Sequence, residues 1–450
     1  MSNHVPFTQT LLSLDGQSYS AYRQLKGTHR LGDFELAIER IQSDPYAPPS
    51  SMRILLPQTI AQFPTDLWCN QIRTIALRDY LTRQFNQVIQ QLRLGRELEI
   101  IQPGQAILAR SAMWINAQTV EVRFRMNLPA FGRRIAGQQA VRLLTEDLSK
   151  VVLRSLHYQN LNVSEIAQHV ATAEDAEALR SQLVEKNLIA FIADGSVLAR
   201  RSGIDDRPDE TAIAFTSPLE FRVTLDRPNA GPITGMGIAA GITLIVGGGY
   251  HGKSTLLRAI ERGIYNHIPG DGREWVVTNP QAVKIRAEDG RCIHGTDLSA
   301  LINHLPLGRS SQTFTTENAS GSTSQAANMI EAIAAGATVL LLDEDTCATN
   351  LMIRDARMQR LIASAQEPIT PLLDKIRPLY AEHRVSTILV MGGCGDYLAM
   401  ADRVIAMQDF QPRDVTLEAQ AIVAALPNQR RSIDSLTFGA TTVDRHLPQP

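Results

Sequence analysis

The run Gly247-Gly248-Gly249-Tyr250-His251-Gly252-Lys253-Ser254 carries the most specific chemistry in the chain. It fits GxxxxGK[ST] at every fixed position, a pattern in which glycines let the backbone wrap an anion and turn successive N–H groups toward phosphate oxygens. A helix beginning at the lysine adds the positive end of its dipole. Lys253 would reach the β and γ oxygens of a nucleoside triphosphate, and the Ser254 hydroxyl would sit on Mg²⁺. Gly241 to Val246 (GITLIV) reads as a buried strand and Thr255 to Asn266 as a helix, so the loop stands where a strand passes into a helix. A glycine turn that happens to end in Lys-Ser is the alternative, and the flanks argue against it. Gly247 to Thr255 are therefore assigned to nucleotide.

Ninety residues after Lys253, Val339 to Leu342 (VLLL) ends in Asp343 and Glu344. An apolar run closed by two carboxylates is the pattern of a buried strand that delivers acids to a sheet edge. Side chains alternate along a strand, so Asp343 can face the metal while Glu344 polarises an attacking water. Taken alone, DED could equally be an acidic turn closing a core strand. The phosphate loop upstream makes the metal and base reading the stronger one, with Lys253 and Glu344 as catalytic residues and Ser254 and Asp343 as metal ligands.

Asn318 to Gln325 (NASGSTSQ) precedes a helical pattern, Ala326 to Ala335, that leads into this strand. By itself it is a serine-rich loop with an N-cap, a common object. Its order and spacing resemble the signature of ATP-binding cassettes, roughly LSGGQ, whose serine precedes the acidic strand by a similar distance. Asp343 to Asn350 (DEDTCATN) is similar to that family's DEPTSALD. The resemblance implies a P-loop NTPase core of ATP-binding-cassette type, with ATP and Mg²⁺ as cofactors. It also implies that Ser320, Gly321 and Ser322 contact the γ-phosphate bound by a second protomer, in a homodimer. Ser322 and Thr323 replace glycine and glutamine of the signature, and Asp345 and Asn350 replace proline and aspartate. Gly392-Gly393-Cys394-Gly395-Asp396 follows the next strand, STILVM, where the family places a switch histidine.

GGGYHGKSTLL, EWVVTNPQAVKIRAEDGR, ENASGSTSQAAN, DEDTCATN and EPITPLLDKIRPLY together resemble a narrower group, predicted ATPases of the ABC class. The likeness spans most of residues 20 to 415. It implies a protein with an extra N-terminal domain, and a group that includes RNA-associated dimers. Lys253 and Ser320 are 67 positions apart, little room for the helical subdomain with which transport cassettes grip membrane partners. Asn303 is the nearest candidate for the family's Q-loop glutamine. Phe221 is at a suitable distance for an adenine-stacking aromatic, although a core role fits it better.

The elements that must position these groups divide the chain at a polar stretch, Arg200 to Pro218. We expect an N-terminal α/β domain over 1–215, an ATPase core over 216–415 and a C-terminal tail over 416–450, polar after Asn428. In the first, Ala106 to Leu128 alternates as two strands turning at Asn116, followed by helices over Gly137 to Leu156 and Val163 to Asn187, the latter with Ser164 as a cap candidate. Arg110, Arg123, Arg125, Arg133 and Arg134 lie among Trp114, Phe124 and Phe131. Such a face could follow single-stranded RNA and stack its bases, or be a half-buried strand with a basic solvent side.

With 44% hydrophobic and 20% charged residues and a formal net charge of −2, the 450-residue chain can bury sizeable cores, and the total charge marks no polyanion partner. Four scattered cysteines without CxxC spacing indicate neither disulfides nor zinc, and no run approaches the ~20 apolar residues of a membrane span. A cytoplasmic protein without membrane contact is expected. It would bind and hydrolyse ATP as a dimer whose closure acts on a client, with RNA one candidate client. The alternative is a nucleotide-gated RNA switch with slow hydrolysis.

Overall fold

The computed structural model describes residues 7–363, 366–426, 430 and 437–439. These form two units, one made of the chain up to Asp175 with Asn266–Pro269, the other of Ala176–Tyr265 with the chain from Gly270 on.

The first unit is built on an antiparallel sheet in the order Gly27–Leu31, Phe34–Arg40, Ser50–Pro57, Thr119–Met126, Leu98–Glu99, with Met113–Ile115 also paired to Thr119–Met126. Strict alternation in Thr119–Met126 sends Val120, Val122, Phe124 and Met126 inward, as the two-residue period of a half-buried strand requires. The expected turn at Asn116 is present, its Oδ1 accepting from the N–H groups of Gln118 and Thr119 at 2.8 Å each. Helix Gln71–Gln91 supplies Leu77, Leu81, Phe85 and Ile89 to the same core, and Asn70 caps it by accepting from Arg73 N at 2.9 Å. The Val163–Glu185 helix is capped by Asn162, which accepts from Ser164 N and Glu165 N, so Ser164 is not the cap.

The second unit centres on a six-stranded sheet ordered Ala282–Ile285, Val339–Asp343, Ser386–Val390, Ile242–Val246, Arg403–Gln408, Gln411–Asp414. The first five are parallel and the last turns back antiparallel. Both faces are covered: Leu340 and Leu342 enter one apolar cluster while Val339 and Leu341 enter another, which is why these strands read as unbroken hydrophobic runs. A separate antiparallel sheet runs Arg222–Arg227, Gly231–Ala239, Leu188–Ala193, Val276–Thr278.

That second sheet corrects the expected boundary near 215. Leu188–Ala193 pairs with Gly231–Ala239 and Val276–Thr278, so residues 176–215 belong with the ATPase unit. The polar stretch 200–218 is a loop inside that unit. At the other end, helix Thr416–Ala425 buries Ala419 in the core cluster of the parallel sheet, so the unit continues past 415. The expected polar tail after Asn428 lies mostly outside the described residues. Among the described residues no helix is long and apolar enough to cross a membrane.

Candidate functional site

The phosphate loop leaves the strand Ile242–Val246 at its carboxyl end, the edge at which open parallel sheets hold ligands. Two of its glycines are demanded by backbone. Gly247 has φ +137°, and a Cβ there would stand 2.5 Å from the Met407 carbonyl oxygen. Gly252 has φ +92° at the N-terminus of helix Lys253–Arg262. Tyr250, at φ +64°, is fully exposed. His251 accepts from Asp409 N on Nδ1 at 3.0 Å, tying the loop to the turn between the last two strands. Lys253 Nζ donates to the carbonyls of Gly247 and Gly248 at 2.7 Å each, which holds the loop wrapped around the lysine. Ser254 and Thr255 are half-buried in the first helical turn.

The acidic pair stands on the same edge. Ile245 and Asp343 are both in register with Val390, so Asp343 lies two strand spacings, about 10 Å, from the loop strand. Asp343 is buried, and among the described residues its side chain accepts only a long bond from Asp345 N, 3.4 Å. Glu344 projects beyond the strand end. Its Oε2 accepts from Gly392 N at 2.5 Å and Gly393 N at 3.0 Å, while Oε1 has no donor among the described residues. The backbone of the glycine run thus holds the carboxylate where a side chain of the missing histidine was expected. Cys347 and Cys394 flank this corner; burial pushes the Cys347 thiol up to about 12 and raises that of Cys394, which favours the protonated thiol at both.

Ser320 precedes helix Gly321–Ala334, which packs on the edge strand Ala282–Ile285 and on the hairpin Arg291–Thr296 with Phe314–Ala319. Ser320 Oγ shares a 3.0 Å bond with Thr323 Oγ1. Ser322 Oγ accepts from Asn350 Nδ2 at 3.1 Å, and fully buried Gln325 accepts from Ala348 N at 2.7 Å. These two bonds join 320–325 to the segment after Glu344. Gln325 stood in the sequence motif without a role, and nothing local in the sequence marks its partner.

Two further expectations resolve plainly. Phe221 is 9% exposed and sits in an apolar cluster with Leu256 and Ile260, a core residue. Asn303 donates its side-chain amide to Ser299 O and its backbone N–H to Pro368 O, tying its loop to the segment at 368–369. A cleft of about 330 Å³ beside Gly252 and Thr255 is lined by Ile213, Phe215, Met407 and Phe410.

In the first unit three of the five arginines are paired with acids, while Arg134 donates to Gly16 O at 2.9 Å and exposed Arg125 has no carboxylate partner among the described residues. Arg123 pairs with Glu121 at 2.7 Å, Arg110 with buried Asp79 at 3.3 Å, and Arg133 with Asp44 at 3.4 Å. Phe124 is core, and Arg78 covers the Trp114 ring at 4.1 Å.

Residues 162–443 match a family model of ABC ATPases described as a P-loop domain, and residues 4–159 match the N-terminal model of ATPases of the ABC class. The chain belongs to the ATPases of the ABC class. An uncharacterized protein of Methanocaldococcus jannaschii is 30% identical to this ABC-class ATPase over 250 residues, 53% of this chain and 54% of the other. The chain therefore spans about half the length of the curated relative it matches. Among solved structures, the ADP conformation of an ATP-binding cassette of an ABC transporter is similar at 12% identity, covering 53% of this chain and 95% of that one with a TM-score of 0.31. A component of the ABC transporter complex cbiONQ of Clostridium perfringens is similar at 14% identity, covering 54% and 96%, with a TM-score of 0.32. In this ABC-class ATPase no α-helix stands between Arg262 and Ser320 among the described residues; the hairpin leads straight into the serine.

Proposed function

We propose that the chain binds ATP and hydrolyses it with Mg²⁺, in a homodimer that nucleotide closes. The observation that carries this reading is the meeting of the phosphate loop and the acidic pair on one carboxyl edge, with Glu344 already held by two backbone N–H groups.

The triphosphate would lie along the N–H groups of Gly248 to Thr255, with Lys253 leaving the Gly247 and Gly248 carbonyls for β and γ oxygens. The base would enter the apolar cleft beside Gly252 and Thr255, with half-exposed Phe410 as its stacking face. Ser254 and Asp343 suit a hard cation, because Asp343 keeps lone pairs that its one long bond does not use. Among the described residues no group of three or more His, Cys, Asp and Glu could hold a metal alone, which fits an ion completed by phosphate and water. Bound there, Mg²⁺ would neutralise charge on the phosphates. Glu344, fixed through Oε2, presents Oε1 to a water in line with the γ-phosphate and takes its proton.

Ser320 supports the dimer reading. Its helix packs on the edge strand, three strand spacings or about 14 Å from the loop strand, too far for its hydroxyl to meet a phosphate held in its own loop. A second protomer brings it there, and the γ-phosphate then adds contacts across the interface that hydrolysis removes.

The test is ATP turnover and nucleotide-dependent dimerisation of the full chain. Lys253→Ala should lose nucleotide binding. Glu344→Gln should bind ATP, dimerise and not turn over, and adding Ser320→Arg should return it to monomer with ATP still bound. Full turnover by Glu344→Gln would refute the base assignment, and ATP-driven dimers carrying Ser320→Arg would refute the interface.

A further inference from the structure

We propose that an arginine-lined cavity on the flank of helix Lys253–Arg262, adjoining the nucleotide cleft at Ala199 and Thr255, is a second ligand site, which takes a small molecule carrying two or more phosphate groups. The cavity measures about 650 Å³, within the range of small-molecule sites. Arg258 and Arg262 enter it from the helix, Arg200 from the loop before residue 206, and Arg273 and Arg286 from the far wall.

The charges there do not cancel. Five arginines line the cavity against two carboxylates, Asp206 and Glu261, an excess of three in the lining, with Asp271, Glu274 and Lys284 behind it. Two of the carboxylates are engaged: Asp271, wholly buried, pairs with Arg200 at 2.8 Å, and Glu261 with Lys284 at 3.4 Å. Asp206 stands 3.8 Å from Arg200 and 3.9 Å from Arg262, and Glu261 stands 3.9 Å from Arg286. Arg258 has no carboxylate partner among the described residues. Arg200 Nε is buried with no hydrogen-bond partner, on a side chain only 9% exposed.

Crowding of like charge shows on Arg273, which is 3% exposed. Burial first, then the charge of Arg200, lowers its guanidinium to about 10. Cations crowded together with fewer anions than charges repel one another unless a ligand supplies the counter-charge, and such clusters occur at binding sites. Guanidinium forks match phosphate oxygens two at a time, and forks arriving from three directions fit several phosphates on one compact molecule. A nucleic-acid backbone calls instead for a track of cations along an open groove.

The test is calorimetric titration of the full chain with inositol hexakisphosphate at low salt, with and without saturating ADP and Mg²⁺. One-to-one binding that survives ADP is expected. Arg258 and Arg286 are exposed, so Arg258→Ala with Arg286→Ala should fold normally and bind about tenfold more weakly or worse. Lysine at both positions should restore only part of the affinity, because it lacks the planar fork. Arg357→Ala with Arg360→Ala, removing equal charge from another exposed helix, should change affinity by less than about twofold. The proposal is overturned if the Arg258/Arg286 variant binds like the wild type or like that control. It is also overturned if ADP displaces the probe one for one, or if single-stranded RNA binds here and the hexaphosphate does not compete.

Discussion

Gln325→Leu tests how the 320–325 segment is tied to the chain after Glu344. The substitution keeps the approximate volume of a fully buried side chain but removes the acceptor that takes the Ala348 N–H at 2.7 Å, and the donor to Met352 Sδ at 3.4 Å. Leucine leaves the amide facing an apolar group, and an orphaned buried donor costs about 1–3 kcal/mol. A loss of that size is about 5- to 150-fold in an opening equilibrium. Hydrogen exchange by mass spectrometry on a peptide covering 345–352 should therefore speed up by a factor in that range, while a peptide from the Val339–Asp343 strand changes little. Ser322 to Asn350 is a second bond across this junction, so Ser322→Ala added to Gln325→Leu should cost more than the two changes separately. Unchanged exchange at Ala348 in Gln325→Leu would refute the reasoning, since it would mean the amide finds water or another acceptor at no cost.

Gly247→Ala should weaken ATP binding by more than about tenfold in equilibrium titration, because a left-handed φ and a 2.5 Å approach to the Met407 carbonyl force the loop to move. Gly393→Pro removes one of the two N–H groups that hold Glu344; turnover should fall by up to about a hundredfold with ATP affinity nearly unchanged. In the first unit, burial pushes the Asp79 carboxyl up, but the His169 ring 3.4 Å away and the Arg83 guanidinium at 2.7 Å outweigh it and hold it below its ordinary 3.8. A carboxyl depressed in the fold adds stability that is complete above the ordinary value and lost as pH falls through the folded one. Urea titrations should therefore show the first unit weakening below pH 3.8, and Asp79→Asn, less stable at neutral pH, should show a shallower acid slope.

The phosphate loop and the acidic strand were legible in the sequence because their signals are local: glycines where φ is positive, apolar runs where both faces are covered. Gly392 and Gly393 were legible only as a missing histidine. Backbone N–H groups leave no residue signature, so the two bonds that orient Glu344 appear only when the strands are set side by side. The boundary near 215 misled for a related reason. Arg200 to Pro218 has the polarity of a linker, yet the strand before it, Leu188–Ala193, is the middle of a sheet whose other members lie downstream. Two cap-forming residues, Asn162 and Ser164, stood within one turn of the same helix start, and composition cannot choose between them. The arginine strand was read correctly as an alternating strand, but Glu121 beside Arg123 and Asp79 beneath Arg110 turn part of its charge into pairs.

The tight turn joining Arg403–Gln408 to Gln411–Asp414 places Asp409 and Phe410 at φ +49° and +64°. Two successive left-handed residues in a two-residue hairpin are the geometry that Asn-Gly adopts without strain, whereas a bulky ring at the second position resists it. Anyone setting out to make this protein more heat-resistant would be drawn first to Asn-Gly at this corner. The gain in melting temperature would come with a weakened hold on adenine against bare triphosphate, and the two readings taken on one variant would reveal how much conformational strain this fold tolerates to keep an aromatic ring beside its phosphate loop.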